Sequence, residues 1–380
     1  MTQGAEFPAR NGEQYHSDAA TYRVLPAIAL GTTMNEEIVG FEALYDSLQK
    51  CKKGVRWKES VAHFHLNALE ETIKLERDLH EGTYRPRLPK EFTVYSPKQR
   101  EILSIAFRDR VYQRSLNDNA IYPQMVRSFI HDNCACQKGK GTDYCRDRLE
   151  VFLHRYFINH GADGYVLQVD IKGYYPNMSH SVVGQTFRRK LDPEIYERTV
   201  DTLHRQYKGE KGYNPGSQMV QIAGISVLDR VDHFAKEHLR CKYYLRYMDD
   251  ILFICPDRVY LEDCKRRIEE LLHEMEFEYN QKKTRIYRLS EGIEFLGFTF
   301  RLTESGKVLR LISAKNVKMQ RKKLVRLVAL CKSGKHPKSL ADDSYRCWRA
   351  HAAKGNTFKL LARMDKFYSD LWREDDEKHF

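Results

Sequence analysis

The sequence predicts an α+β fold, and two observations carry this prediction. Three short runs rich in aromatic and branched residues have the composition of β-strands, and they lie in the middle of the 380-residue chain. Stretches whose apolar residues recur at helical spacing flank these runs on both sides. Hydrophobic residues make up 42% of the chain, which is enough for a packed core and excludes a largely disordered protein.

Two of the predicted strands enclose a pair of adjacent carboxylates. Tyr243–Tyr247 and residues 251–254 read as the arms of a hairpin, with Asp249 and Asp250 at its turn. Neighbouring strand residues point to opposite faces, but a tight turn relaxes this alternation and lets both carboxylates approach one point. Like charges in apolar surroundings are costly, and a divalent cation offsets that cost. Hard oxygen ligands favour Mg²⁺.

A third carboxylate, Asp170, ends the apolar strand predicted at 165–171. One acid at a strand end together with Asp249 and Asp250 is the minimum for a two-metal phosphoryl-transfer site. The alternative is that the Asp-Asp pair is an ordinary solvated turn, since so short a motif arises by chance. The second acidic strand end weighs against that alternative.

These residues also carry a family resemblance. Tyr247-Met248-Asp249-Asp250 resembles the signature of reverse transcriptases, and Asp170 lies where the family has its first palm acid. Further matching motifs follow in order along most of the chain. The resemblance implies a right-hand polymerase with fingers, a palm built on an antiparallel sheet, and a helical thumb. The implied intervals are 1–164 for the N-terminal helical region and fingers, 165–302 for the palm, and 303–380 for the thumb and C-terminal tail.

The first 164 residues are expected to hold helices at 35–48 and 58–81, and then a strand at 92–95. Basic residues follow this strand. In the family, residues at such positions hold the triphosphate of the incoming nucleotide, which needs several positive charges. Lys98 and Arg100 are the candidates, and the alternative is that both are solvated loop charges.

A Gly/Lys loop at 132–142 precedes a helix predicted at 144–157. Its glycines allow close backbone approach, and Lys138 and Lys140 supply positive charge beside a helix N-terminus. The order of residues differs from that of a Walker loop. The matching family segment contacts template or primer, so both lysines are predicted to bind nucleic acid.

The nucleotide site is predicted from two further motifs. In the family, an aromatic residue five positions after the first palm acid packs beneath the sugar and excludes a 2′-hydroxyl; here it is Tyr175, which implies a preference for deoxynucleotides. The alternative is that Tyr175 is a core aromatic. Residues 216–221 resemble the second palm motif in the form found in diversity-generating retroelements, and Gln218 is its predicted nucleotide contact.

The C-terminal third of the chain carries the remaining motifs. Lys283 fits the family lysine that neutralises or protonates the leaving pyrophosphate, and residues 295–297 resemble the primer-grip hairpin. Residues 305–341 contain eleven lysines and arginines and no acid. This basic amphipathic stretch suits a membrane surface or a partner, but after a palm it predicts a thumb that contacts phosphates. The thumb candidates are Arg321, Lys322 and Lys323.

Taken together, the resemblance implies an RNA-directed DNA polymerase that makes cDNA from dNTPs by two-metal nucleotidyl transfer. The catalytic residues would be Asp170, Asp249 and Asp250, and these with Ile171 would hold two Mg²⁺ ions. The implied partners are an RNA template in the form of a structured noncoding RNA, a DNA primer or product, and an accessory protein or a second copy. The expected setting is anti-phage defence. The alternatives are a diversity-generating retroelement or retron enzyme, a palm-type RNA polymerase, and a catalytically idle RNA-binding protein.

Composition agrees with this interpretation without deciding it. The formal net charge of +12 suits a polyanionic partner. The nine cysteines lack paired metal-type spacing, so we expect reduced thiols and a cytoplasmic protein. No apolar run approaches the length of a membrane span, and no membrane contact is expected.

Overall fold

The first part of the chain that the structure describes is a bundle of four helices, which packs on the helix Phe107–Leu116. The computed structural model describes residues 36–95 and 99–373. Leu44 and Leu48 of one helix and Leu75 of another are fully buried, because the apolar positions of each lie on one face. The four helices are α1 (Glu36–Val39), α2 (Phe41–Cys51), α3 (Glu59–Leu66) and α4 (Ala68–His80).

The single helix predicted at 58–81 is wrong, because the structure breaks it at Asn67. Asn67 has φ −106° and ψ 32°, outside the helical region. Its side-chain amide donates to the carbonyl oxygen of His63 at 3.2 Å. Asparagine competes with helical hydrogen bonding in this way, and here it separates α3 from α4.

The fingers begin with an antiparallel hairpin and continue in helices. The hairpin pairs Lys90 with Ser104 and Val94 with Arg100. After α5 the chain passes through a π-helical turn, Asn117–Ile121. The elements are β1 (Lys90–Val94), β2 (Arg100–Ser104), α5 (Phe107–Leu116), α6 (Tyr122–Met125) and α7 (Thr142–His160).

A four-stranded antiparallel sheet forms the centre of the molecule, in the order β4-β5-β3-β6. It confirms the predicted antiparallel palm sheet, and the strands predicted around the three acids are β3, β4 and β5. Helices α7 and α13 pack against it. The elements are β3 (Tyr165–Val169), α8 (Tyr174–Asn177), α9 (His180–Arg188), α10 (Pro193–Gln206), α11 (Gln218–Val227), α12 (Asp229–His233), β4 (Tyr243–Tyr247), β5 (Asp250–Cys255), α13 (Arg258–Glu274) and β6 (Arg285–Arg288).

The chain ends in a three-stranded antiparallel sheet and three helices. The boundary predicted between palm and thumb, at 302/303, falls within the hairpin in which β8 pairs with β9. This boundary stays a prediction. The main-chain nitrogen of Asn356 donates to the carbonyl oxygen of Arg310 at 2.7 Å, and this turn separates the last two helices. The elements are β7 (Ile293–Phe295), β8 (Phe298–Leu302), β9 (Val308–Ile312), α14 (Ala314–Lys332), α15 (Lys338–Ala352) and α16 (Phe358–Asp370).

Two hydrophobic clusters lie on either side of the central sheet. One joins the N-terminal helices, α9 to α13 and one face of the sheet. The other joins α7, the opposite face, the three-stranded sheet and the last helices. The four-stranded sheet is therefore buried on both faces, and its strand ends and turns are where polar side chains reach the surface. Within 36–95 and 99–373, no helix is long and apolar enough to cross a membrane.

Candidate active site

The β4–β5 hairpin holds the Asp-Asp pair in a two-residue turn. Tyr247 pairs with Asp250, so Met248 and Asp249 form the turn between them. Met248 has φ +57°, in the left-handed region that is costly for a residue with a side chain. Such a conformation persists only where the surroundings hold it, and it is concentrated at functional sites.

Asp170 is brought to the same place by the sheet register. Strand β3 pairs with β5 so that Val169 lies opposite Ile251, and the next position along β3 is therefore beside Asp250. Thr284 fixes the main chain there: the Asp170 N–H donates to its hydroxyl at 3.2 Å. All three carboxylates are half-buried at one edge of the sheet.

The electrostatics of the three acids are those of a crowded anionic site. Burial raises the pKa of Asp250 to about 6, and the charges of Asp249 and Asp170 add to the rise. Burial and then Asp170 also raise the pKa of Asp249. The balancing cation is Lys283, whose Nζ lies 2.7 Å from Oδ2 of Asp170. Three acids against one lysine leave a site that favours added positive charge.

The donor set fits hard divalent cations. Carboxylate oxygens are the ligands such ions prefer, and the three acids offer six of them around one sheet edge. Within the described ranges, only Glu36, Glu76 and His80 place three possible ligand atoms within 4.8 Å of one another. The ligand atoms of the three aspartates are therefore farther apart than those that enclose a single ion. Ile171 has an apolar side chain that is 2% exposed, so only its main-chain carbonyl can be a ligand.

A buried ion pair beneath the hairpin was missed by the sequence reasoning. Arg246, fully buried in β4, donates from Nε and Nη2 to the two carboxylate oxygens of Asp232 at 2.7 and 2.6 Å. Its Nη1 donates to the carbonyl oxygen of Met248 at 2.9 Å. Its Nη2 also donates to the carbonyl oxygen of Ile225 at 2.9 Å. The guanidinium thus ties the turn to α11 and α12.

Tyr175 and Gln218 lie on two segments that meet beside this hairpin. The Tyr175 hydroxyl is buried, and among the described residues it has no hydrogen-bond partner. Burial raises its pKa, and the nearby charge of Asp249 adds to the rise. Gln218 is the first residue of α11, and its Oε1 is likewise buried without a partner in that part of the chain. Tyr175 is therefore close to the acids, whereas Gln218 lines a cleft with Lys138. The contacts predicted for both residues with the nucleotide stay predictions.

Comparison with known proteins identifies the family. Residues 90–300, more than half of the chain, match the family model described as reverse transcriptase (RNA-dependent DNA polymerase). The chain belongs to the reverse transcriptase family. Enzymes of this family generally use divalent metal ions, in keeping with the acidic strand ends.

Solved structures of telomerases are similar to this family member at low identity. Telomerase from Candida albicans in complex with a fragment of telomeric RNA has 13% identity and a TM-score of 0.46, covering 80% of this chain and 64% of that one. Apo telomerase from Candida tropicalis has 12% identity and a TM-score of 0.43, covering 74% and 61%. A C-terminally truncated form of the latter has 13% identity and a TM-score of 0.44, covering 58% and 54%. The chain thus spans less than two thirds of these proteins. No curated protein matches the sequence.

The two lysines of the Gly/Lys loop have different surroundings in this reverse transcriptase fold. Lys138 is exposed, with its Nζ 5.3 Å from the ring centroid of Tyr122, and it lines a cleft that also contains Gln218. Lys140 donates to the carbonyl oxygens of His131 and Asn133 at 2.9 and 3.0 Å. Lys140 thereby fixes the loop, and its predicted contact with nucleic acid stays a prediction.

The finger and thumb candidates lie on different elements of the fold. Arg100 is exposed at the start of β2, whereas Lys98 lies outside the described residues. Arg321 and Lys322 are exposed on α14 and line a broad cleft between α14 and α16. Lys323 is exposed but lies outside that cleft. The Arg321 guanidinium carbon is 4.2 Å from the ring centroid of Phe367.

The residues 295–297 predicted as a primer grip form the tight β7–β8 turn. Phe295 pairs with Phe298, and Gly297 has φ +85°, a conformation that favours glycine. The Leu296 carbonyl oxygen accepts from Nη2 of Arg146 at 2.7 Å, which fixes this turn against α7.

The sequence signal that was overlooked near the acids is Arg246, the one charged residue inside the otherwise apolar strand β4.

Proposed function

We propose that this protein is an RNA-directed DNA polymerase that makes cDNA from dNTPs. The observation that carries the proposal is the meeting of Asp170, Asp249 and Asp250 at one sheet edge in a chain of the reverse transcriptase family. The reaction would be in-line attack of a primer 3′-hydroxyl on the α-phosphate of a dNTP. Catalysis of phosphoryl transfer depends mainly on positioning and on charge stabilisation.

Two Mg²⁺ ions are the proposed cofactors, held by the three aspartates with the main-chain carbonyl of Ile171. When bound, divalent ions supply Lewis-acid activation and neutralise charge at the phosphates. The raised pKa of Asp250 supports this assignment, since a carboxylate destabilised by its neighbours gains most from a cation. Lys283, which is paired with Asp170 at 2.7 Å, would donate to the outgoing phosphate.

The nucleotide would lie between the acids and α11. Tyr175 would pack beneath the sugar, and Gln218 would contact the nucleotide. Lys98 and Arg100, from the fingers, would approach the triphosphate. These roles rest on the family resemblance and, for Tyr175, on its position near Asp249.

The nucleic-acid partners would be an RNA template and a DNA primer or product. The cleft between α14 and α16 supports this, because Lys318, Arg321, Lys322, Lys359 and Arg363 line it and no acid does. Positive clefts of this kind bind phosphate backbones irrespective of sequence. Lys138 would extend the contact on the finger side. We further propose a structured noncoding RNA as the template, bound by the protein alone or with an accessory protein or second copy.

The decisive experiment is primer extension on an RNA template with dNTPs and Mg²⁺. Wild-type protein should extend a DNA primer, and Asp170→Ala and Asp249→Ala should abolish extension while RNA affinity is retained. Asp263→Ala, which removes an exposed carboxylate of α13 engaged with Arg266, is the matched control and should extend normally. Near-normal synthesis by either palm variant would show that the metal assignment is wrong. Use of ribonucleotides alone by the wild type would favour the palm-type RNA polymerase.

The biological setting we propose is anti-phage defence, with a diversity-generating retroelement or retron as the alternatives. All nine cysteines are free thiols, including Cys241 and Cys264 with their sulfurs 3.9 Å apart, which supports a reducing, cytoplasmic location. Sequencing of the RNA that copurifies with the protein, and phage challenge of cells that express it, test the partner and the setting. Protection that persists in Asp249→Ala cells would separate the setting from polymerisation.

A further inference from the structure

Gly224 lies in the middle of α11 and is buried there. Glycine inside a helix is about 1 kcal/mol less favourable than alanine, so its presence at a buried helical position calls for a local cause. A Cβ built at Gly224 would lie 2.7 Å from the Tyr175 hydroxyl oxygen and 3.1 Å from its Cζ. The cause is therefore the ring of Tyr175, which occupies the space of a side chain at this position.

The ring of Tyr175 is fixed by packing rather than by hydrogen bonding of its hydroxyl. That hydroxyl is buried without a partner among the described residues. The ring stacks edge-on against Tyr174, with centroids 5.4 Å apart, and the hydroxyl of Tyr174 donates to the Gly224 carbonyl oxygen. The main-chain N–H of Tyr213 donates to the Tyr175 carbonyl oxygen at 2.9 Å. Both tyrosines therefore contact Gly224: Tyr174 through a hydrogen bond to its carbonyl oxygen, and Tyr175 through its ring.

The same turn of α11 also holds the catalytic hairpin. The carbonyl oxygen of Ile225, the next residue, accepts from Arg246, which in turn binds the Met248 carbonyl oxygen. The charged groups that act on Tyr175 are Asp249 and Arg246, both of the hairpin, so the ring that contacts Gly224 is also close to the hairpin. A ring displaced from α11 by a side chain at 224 would move towards the hairpin and the acids.

We propose that Gly224 is a specificity-determining positioning residue. Because Gly224 has no side chain, the Tyr175 ring packs directly against α11. This leaves room for a deoxyribose on the side of the ring that faces away from α11. A side chain at 224 would move the ring into that room and narrow the site. This inference rests on the proposed polymerase function, because the selectivity it concerns is that between dNTPs and rNTPs.

Gly224→Ala tests the inference directly. Inserting a methyl group into a packed contact of this kind should raise the KM for dNTPs about tenfold or more, with primer–template affinity unchanged. Incorporation of ribonucleotides should fall further than that of deoxynucleotides. In Tyr175→Phe/Gly224→Ala the 2.7 Å contact is gone and the contacts with the ring carbons at 3.1 and 3.2 Å remain, so its KM for dNTPs should recover in part towards that of Tyr175→Phe alone. Gly184→Ala in α9 is the control, since a Cβ there meets only the Tyr196 hydroxyl at 4.0 Å.

Thermal unfolding of the same four variants separates this inference from the proposed function. Gly224→Ala should lower Tm, the Tyr175→Phe background should remove part of that loss, and Gly184→Ala should leave Tm unchanged. If no variant and no wild-type protein extends a primer, the proposed function fails, whereas the coupling in Tm still tests the contact. Folded Gly224→Ala with unchanged KM and sugar selectivity overturns the inference, as does a double variant that is no better than Gly224→Ala.

Discussion

Arg246 and Asp232 form a two-point ion pair at 2.7 and 2.6 Å, with both side chains fully buried. The same guanidinium donates to the Met248 carbonyl oxygen, so the pair also fixes the left-handed residue in the turn between β4 and β5. A planar guanidinium makes all of these bonds at once, whereas an ammonium group cannot. The ion pair is therefore a support for the hairpin that carries Asp249 and Asp250.

Removing one partner of this pair should cost both stability and turnover. Arg246→Met leaves the buried Asp232 carboxylate unpaired, and the expected loss in the free energy of unfolding is about 3–5 kcal/mol. Arg246→Lys keeps the charge but not the fork, so it should fold while kcat falls about a hundredfold through displacement of the turn. Chemical denaturation and primer extension measure the two effects. Arg266→Met on the exposed face of α13 is the control. An Arg246→Lys variant with normal kcat would contradict the positioning role.

The pH dependence should be set by Asp250, whose pKa burial and then its acidic neighbours raise to about 6. Between about 3.9, the unfolded value, and about 6, the folded state binds more protons than the unfolded state, so without metal its stability should fall as pH rises through this window. Asp250→Asn should remove its share of this slope, leaving that of Asp249, whose pKa burial also raises, and it should stabilise the metal-free protein at pH 7 by about 1–3 kcal/mol. Unfolding in EDTA across pH 4 to 7.5 measures it.

Binding of Mg²⁺ should show the opposite dependence, because the ionised carboxylate is the proposed ligand. The rise of Tm on adding Mg²⁺ should grow as pH increases through about 6 in the wild type, and it should be small at all pH values in Asp250→Asn. An equal Mg²⁺ effect in both proteins would mean that Asp250 is not part of the metal site.

Sugar selectivity should depend on the ring of Tyr175. Replacing Tyr175 by Val or Ala opens the space beneath the sugar, and ribonucleotide incorporation relative to deoxynucleotide should rise about tenfold or more. Competition between labelled dNTP and rNTP in primer extension gives the ratio. A wild-type enzyme that incorporates dNTPs and rNTPs equally would contradict the proposal that this ring selects the sugar.

Nucleic-acid affinity should depend on the basic face of α14. Changing Arg321, Lys322 and Lys323 together to Gln should flatten the slope of log affinity against log salt by about two, because Arg321 and Lys322 line the cleft and Lys323 does not. Folding should be retained, since the buried Leu324 and Val328 are untouched.

The matched control for that triple change is the run Lys265-Arg266-Arg267 on α13. These three basic residues are also consecutive in a helix, but Arg266 and Arg267 are paired with Asp263, so their loss should leave the salt slope unchanged. An unchanged slope in the α14 variant with normal primer extension would show that α14 is a solvated or protein-docking face.

The strands around the acids could be predicted from the sequence, because alternating and apolar runs and a short turn are local properties. The same locality explains the error at 58–81. The break at Asn67 depends on one side chain that binds a main-chain carbonyl oxygen, and periodicity does not show this signal.

What the sequence determined by itself is the set of chemical groups: three carboxylates at strand ends, a tyrosine five residues after the first, and an acid-free basic helix. The tertiary structure alone decided how they are held. The register of β3 on β5 puts Asp170 beside Asp250, burial and mutual repulsion raise the pKa of Asp250, and the Arg246–Asp232 pair fixes the turn. These facts depend on distances between residues remote in the chain. Pairwise contact and desolvation exist only once the chain is packed.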